Sequence, residues 1–517
     1  MRGYDGGAMK RWLILFLLII MIGWVHGPDW WWATHAPAGG WFTGQASWVD
    51  QIDLSLYFRV IRHGMEQKSF LLPNMADSTN TATAVLYPVY TLIGMIARPF
   101  SHDPILVFHL SGVVTGILLM MAAFWLMGLF IKDDVWKLIG WYWLFLTGGF
   151  GWILYPGTVL PDIGVPIFNL WSALRSPHEA VMMISLMIFL GSTFQFFSQK
   201  KLQLGRLWRA GLSTGMIGVS HPQTLVPLGL IGGLFGLMMT KHQAKKRLWY
   251  WLTTIVGMIA VYFVTIGQSV VASPMTMGLR MQGTYVFPVW YWLAGWGVTG
   301  LLMMYGWRNY KKNVFIWLWF VIQLVLFYLP GVPYRGMMIR GIWIAVILLG
   351  VQGAAKLTKK YAWKEWVVGL VVLVLSGGDM LFIFNKRMDI QHVGKTAFIS
   401  QADGQMMQYL LQQGRADEGV IGSYRMANSA MGQTRLVPYV GHYPLTPGFT
   451  TRYPEVIRFY QQHISDAEAE RWLRQGKISW IMMGTEEQQL ANTSTLSYPF
   501  LKEVWSRQGV RVYQPTF

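Results

Sequence analysis

Cysteine is absent from all 517 residues, which excludes disulfides, thiolate-bound metals, iron–sulfur clusters and a cysteine nucleophile. Charge is scarce as well. Asp, Glu, Lys and Arg make up 13% of the chain while 53% is hydrophobic, against about a quarter charged in soluble domains, so a soluble globular protein is excluded. Acidic residues are the rarer sign, 24 against 42 basic, for a formal net charge of +18. The sequence contains no glycine-rich phosphate loop, no dinucleotide fingerprint and no HExxH, so ATP-driven, dinucleotide and zincin chemistry find no support. No internal repeat is present either, which weakens any reading built on inverted repeats.

What the sequence does have is apolar runs long enough to cross a bilayer. They fall at residues 12–25, 105–131, 135–155, 179–197, 207–219, 223–239, 248–266, 288–305, 314–329, 337–355 and 366–384. That is about eleven spans of roughly 20 residues each. Cytoplasmic loops collect Lys and Arg, and the loops of residues 1–384 divide sharply. One set holds 20 basic residues, from Arg2 to Lys364, against four acidic; the other holds eight basic against nine acidic. This places the N-terminus in the cytoplasm and, after an odd number of spans, the tail outside. The positive charge is therefore a topology signal with attraction to anionic lipid, and no nucleic-acid partner is expected. Residues 12–25 are read as a retained helix, since no A-x-A site follows closely and Trp24, Trp30, Trp31 and Trp32 form an interfacial belt. Residues 83–97 are read as a helix packed at the outer surface or only partly entering the membrane.

The expected fold is mainly α, a polytopic membrane helix bundle followed by a C-terminal extracytoplasmic α/β domain. The first domain is residues 1–384, with a long outer loop at 26–104; the second is residues 385–517, where 14 basic and 11 acidic residues accompany short apolar runs. Residues 420–423, 437–440, 480–483 and 510–513 predict strands, and 405–413, 454–463 and 467–475 predict amphipathic helices.

Four groups of residues are chemically suggestive. A surface helix over 47–64, ended by Gly64, would put Asp50, Asp53 and Tyr57 on one face. Its carboxylates suit a general base, a metal or a sugar, and equally suit charge compensation at a helix N-terminus. Pro177 opens a helix at whose outer mouth His178 and Glu179 stand, as a cap or as metal or substrate ligands. Arg280, Arg335 and Arg340 break the inside rule locally, and guanidinium groups at headgroup level suit a phosphate, or snorkel to lipid. In the tail, residues 441–452 follow a strand and precede a helix; this loop carries His442 and Arg452 and could shape a site. Ser220-His221-Pro222-Gln223 reads as a helix-to-helix turn, and Asn492-Thr493-Ser494 as a chance sequon.

This layout resembles the GT-C superfamily of membrane glycosyltransferases, which includes protein O-mannosyltransferases and lipid A aminoarabinose transferases. Asp50 and Asp53 stand where those enzymes carry an acidic loop-one motif, and Leu86-Tyr87-Pro88-Val89-Tyr90 where many have Pro-Pro-Leu-x-Tyr, here with a single proline. Pro177-His178-Glu179 falls where an acidic residue often opens a later outer helix. Arg340 resembles the late arginine of sugar-lipid phosphate sites. The resemblance implies a polyprenyl-phosphate sugar as donor substrate, no covalently bound cofactor, and transfer to an acceptor on the outer face of a plasma membrane. Asp50 or Asp53 would be catalytic, and Tyr57, His178, Glu179, Arg280, Arg335, Arg340, His442 and Arg452 would bind substrate. The alternatives are a transporter or lipid flippase, with Asp379 as the main charge at depth, or a non-catalytic scaffold of the same fold. The sequence carries no signal for a particular sugar, acceptor, metal or oligomeric state.

Overall fold

A computed structural model describes residues 6–46, 51–80, 83–154, 170–199, 203–239, 244–261, 286–306, 313–332 and 335–517. The chain divides into two compact units, one made of Met1–Gly27, His109–Val264 and Gly283–Asn385, the other of Pro28–Phe108, Thr265–Gln282 and Lys386–Phe517. The long loop assigned from sequence to the helical domain thus falls in the same unit as the C-terminal tail.

The first unit is a bundle of apolar helices. Among the described residues, Ile14–Thr34, Pro104–Phe130, Pro177–Ser198, Pro222–Met239 and Ile342–Tyr361 are long and apolar enough to cross a membrane. The chain is a multi-pass membrane protein. A sixth candidate is a pair, Glu365–Ser376 and Gly378–Met388, bent by 45°. The sequence reading made residues 366–384 one span and 135–155 another, and both are broken for a shared reason. The helix Asp134–Leu146 ends where Gly148 and Gly149 come against the bend. There Gly148 N–H donates to the Ser376 carbonyl at 2.7 Å. The Asp379 carboxylate accepts from Gly149 N–H at 2.8 Å and Trp152 N–H at 3.1 Å. Asp379 is buried, and its charge satisfies backbone donors freed by the break, as a buried carboxylate must.

Close backbone contact takes the place of hydrophobic driving force between helices in lipid. Helices Val289–Gly306 and Ile342–Tyr361 meet through Gly306, Gly350 and Gly353; a Cβ on Gly353 would stand 1.9 Å from the Leu302 carbonyl oxygen. Tryptophan fills the remaining space, and its N–H finds a carbonyl where it can: Trp141 donates to Met120 O at 2.8 Å and Trp143 to Gly369 O at 3.2 Å.

Among the described residues, the second unit carries all the strands: β1 Gly40–Phe42, β2 Leu72–Pro73, β3 Thr83–Ala84, β4 Phe398–Ser400, β5 Gly419–Ile421, β6 Val437–Pro438, β7 Ile478–Met483, β8 Leu501–Arg507 and β9 Val510–Pro515. β1 pairs with β4 and β2 with β3; the main sheet has the order β6-β5-β7-β9-β8, with β6, β5 and β7 parallel and β9 and β8 antiparallel. Four of its strands coincide with sequence expectations. β8 was missed because its residues are partly or well exposed along the edge, which leaves no apolar alternation to read.

The helix Gln51–Gln67 packs on Tyr424–Gln433 and on Pro88–Ala97 within this unit. Arg59 and Arg62 project from it onto the carboxyl end of Tyr424–Gln433, Arg59 donating to Arg435 O at 2.6 Å and Thr434 O at 3.4 Å, Arg62 to Gln433 O at 3.2 Å. Cations belong at that end of a helix. Burial, with the neighbouring Arg62, pushes Arg59 down to about 10, so it stays charged at neutral pH. Gly64 was expected to end the Gln51–Gln67 helix; instead the helix runs through it. A Cβ there would lie 2.2 Å from Thr91 O, and one on Gly94 would lie 2.1 Å from Ile61 O. These glycines allow two helices to cross almost backbone to backbone.

Two predictions follow from these contacts. Gly64→Ala or Gly94→Ala should destabilise the protein by about 1–3 kcal/mol through overpacking, whereas Gly215→Ala, with nothing within 4 Å, should leave thermal unfolding unchanged. Glu487 is fully buried at the head of Thr485–Ala491, accepting from Gly484 N–H at 3.1 Å, and burial pushes it up to about 7. A carboxyl raised in the folded state costs stability as pH rises from its unfolded value near 4.5 to about 7. The melting temperature should therefore fall across that window, and Glu487→Gln should flatten the slope, the effect being at most about 3 kcal/mol.

Candidate functional site

In the helical unit, one charged cluster is assembled from three breaks between helices. Pro177 starts the helix Pro177–Ser198 at its first turn, which puts His178 and Glu179 at its amino end, where a carboxylate is favoured by the helix dipole. His221 ends Leu204–Ser220, ahead of Pro222, which cannot continue the helix with a backbone donor. Arg340 lies in the turn between Arg335–Met338 and Ile342–Tyr361, a turn completed by Gly341 at φ +82°, a left-handed conformation suited to glycine.

Glu179 is the hub. Its Oε1 lies 2.9 Å from Arg340 Nη2, 3.1 Å from His221 Nε2 and 3.5 Å from His178 Nε2. The two imidazoles stack with centroids 5.2 Å apart at 18°. Arg340 and Glu179 are both buried, at 5% and 7% exposure, and Glu179 Oε2 has no hydrogen-bond partner. Behind Arg340, the fully buried Gln323 donates to Arg340 O at 2.6 Å and Met338 O at 3.0 Å, while accepting from Trp319 Nε1 at 2.8 Å. That amide fixes the arginine's turn.

His178, Glu179 and His221 offer ligand atoms within 4.8 Å of one another, a spacing a transition metal accepts. Arg340 already occupies the same carboxylate oxygen, however, and a guanidinium 2.9 Å away repels a divalent cation. With that guanidinium in place the residues favour an anion over a metal. They fit an anion: a fixed guanidinium flanked by two imidazoles, oriented by one carboxylate, is suited to phosphate oxygens.

Sequence reasoning named His178, Glu179 and Arg340, and the structure brings them together. It read His221 as part of a turn, although a histidine before proline at a helix break was the available signal; Gln323, inside a wholly apolar run, stood out only by its polarity. Arg335 folds back instead, donating to Val332 O at 3.2 Å. Arg280 lies outside the described residues.

The second unit holds a separate candidate. Asp53 is half-buried in the first turn of Gln51–Gln67, and its Oδ1 hydrogen-bonds His442 Nε2. His442 is buried, delivered by the loop that follows β6, and its Nδ1 has no partner. The imidazole therefore offers its Nε2–H to the carboxylate. Asp50 lies outside the described residues. Tyr57, expected beside the carboxylates, is 7% exposed and its ring stacks on Tyr90 with centroids 4.5 Å apart; it belongs to the core. Arg452 is also engaged structurally, with Asp77 Oδ1 at 2.8 Å, the Tyr439 carbonyl at 2.6 Å and the Tyr439 ring 4.0 Å beneath its guanidinium.

No protein-family model and no curated protein matches the sequence. Solved structures do match. The oligosaccharyltransferase AglB from Archaeoglobus fulgidus, in complex with an inhibitory peptide and a dolichol-phosphate, aligns with 92% of this chain and 69% of its own at 10% identity and a TM-score of 0.56. ArnT from Cupriavidus metallidurans, bound to undecaprenyl phosphate, aligns over 98% of both chains at 12% identity and 0.55. The arabinofuranosyltransferase AftD from Mycobacteria aligns with 98% of this chain and 40% of its own at 12% identity and 0.58. The chain shares the fold of these three solved transferases. The identities are too low to carry substrates across, and the site must be argued from its own residues.

Removing Glu179 would leave Arg340 buried without its carboxylate. Glu179→Ala should destabilise the helical unit by about 3–5 kcal/mol, with Glu179→Gln milder because the amide still offers an oxygen; thermal unfolding in detergent measures both.

Proposed function

We propose that this protein is a membrane glycosyltransferase that moves a sugar from a polyprenyl-phosphate donor to an acceptor hydroxyl on the outer face of the membrane. The observation that carries the reading is the buried Glu179–Arg340 pair with its two imidazoles, an anion-binding arrangement in a chain similar over its whole length to a protein solved with undecaprenyl phosphate. The asymmetric distribution of Lys and Arg supports a cytoplasmic N-terminus and an outer C-terminal region.

Two tasks divide the reaction. A carboxylate, Asp50 or Asp53, takes the proton from the acceptor hydroxyl as that oxygen bonds to the anomeric carbon. His442, donating from Nε2, orients Asp53 and leaves its second oxygen for the acceptor. As the new bond forms, the bond between the anomeric carbon and the phosphate oxygen breaks, and the phosphate leaves with the electron pair. Arg340, with Arg280 as the further candidate, stabilises the charge that develops there. Direct displacement inverts the anomeric centre. Glu179 and His178 position the arginine and the phosphate, and residues 441–452, including Arg452, shape the acceptor side.

A transporter would keep a charge at depth available to its cargo. Asp379, the one candidate named from sequence, is committed to backbone donors, which favours transfer over transport.

The test is transfer or hydrolysis of radiolabelled polyprenyl-phosphate sugars by the purified protein in lipid. Asp50→Asn and Asp53→Asn are compared with wild type, and loss of at least one general-base carboxylate should lower the rate by about 10²–10⁴-fold without altering the melting temperature. Full activity in both variants would remove this mechanism.

A further inference from the structure

A sugar acceptor needs a surface as well as a base, and the second unit presents one beside Asp53. Tyr443 follows His442 directly, and its ring is 55% exposed. It meets Phe449 edge-on with centroids 5.0 Å apart; Phe449 stacks on Tyr453 at 5.7 Å and 13°, and Tyr424 stands edge-on to Phe449 at 5.0 Å. Tyr424 Oη accepts from Tyr443 N–H at 3.2 Å, which ties the exposed ring to the cluster. The chain brings these rings together at one place in the fold. Tyr424 follows β5, Tyr443 and Phe449 follow β6, and the two strands are parallel neighbours, so the cluster stands at the carboxyl ends of a parallel pair, where open α/β sheets bind ligands.

We propose that these rings form an acceptor subsite for a sugar ring, so that the acceptor is a glycan; the proposal rests on the transferase reading only for the role of Asp53. The chemistry selects among occupants. The apolar C–H face of a pyranose or furanose suits the π face of an exposed tyrosine, and its hydroxyls suit the adjacent phenols and carboxylate. A peptide strand needs free backbone partners, but most of this loop's N–H groups are spent: Gly441 N–H bonds Ala76 O, Leu445 N–H bonds His442 O, Thr446 N–H bonds Tyr443 O and Phe449 N–H bonds Thr446 O. An acyl chain would leave the phenols and the carboxylate unmatched. The His442–Asp53 bond ties the carboxylate to the residue that immediately precedes the tyrosine that would hold the sugar.

Saturation-transfer NMR on the full chain in nanodiscs tests this without turnover. The probes are methyl-capped disaccharides of mannose, galactose and arabinose, with an uncharged octapeptide as the comparison. At least one disaccharide should bind wild type, weaken by about tenfold in Tyr443→Ala, and be restored in Tyr443→Trp. Absence of disaccharide binding, binding equal in wild type and Tyr443→Ala, or peptide binding that depends on Tyr443 would overturn the proposal. Donor turnover separates it from the transferase reading. Tyr443-dependent sugar binding without any turnover keeps the subsite and removes the enzyme; Asp-dependent donor turnover with no sugar binding keeps the enzyme and removes the subsite.

Discussion

A guanidinium buried among apolar helices must be matched by a carboxylate, and in this protein Arg340 is matched by Glu179. Much of the surrounding architecture serves that pairing. A proline opens the helix that carries Glu179, a glycine in left-handed conformation completes the turn that carries Arg340, and a buried glutamine holds that turn from behind. Without the pair, either charge would be too costly to keep. With it, the bundle retains a fixed positive group flanked by two imidazoles, which is what recognition of a phosphate requires.

The same economy of charge recurs elsewhere in the chain. Asp379 satisfies the backbone donors released where two helices break. Arg59 and Arg62 satisfy the carbonyls at the end of Tyr424–Gln433. In a sequence with only 13% charged residues, these three perform structural work, whereas two places stand apart: Asp53, half-buried and held through one oxygen by His442, and the Glu179 cluster, which retains an unpartnered carboxylate oxygen.

The class of fold was legible in the sequence because apolar runs and loop charge are properties of composition and spacing. The same is true of four strands of the main sheet. The breaks inside residues 135–155 and 366–384 were not legible. Gly148, Gly149 and Gly377 sit within hydrophobic stretches whose mean character says nothing of a bend, and the carboxylate that compensates the break at Gly149 lies 230 residues away in sequence. Gly64 looked like a terminator because a glycine signals the end of a helix when nothing reports the close approach of Thr91. Tyr57 shares a helical face with Asp53, but its burial depends on Tyr90, which periodicity alone cannot supply. His221 was passed over for the opposite reason: a turn explained it locally, and only the fold brings it to within 3.1 Å of Glu179.

The central claim is that the Arg340–Glu179 cluster binds the phosphate of a lipid carrier. Titrating undecaprenyl phosphate into the protein in nanodiscs, with Arg340→Ala and Arg340→Lys beside wild type, tests it most directly. The account predicts saturable binding to wild type, loss of about tenfold to a hundredfold in Arg340→Ala, and only partial recovery in Arg340→Lys, since an ammonium cannot reproduce the bidentate fork. Equal affinity in wild type and in a folded Arg340→Ala protein would contradict it.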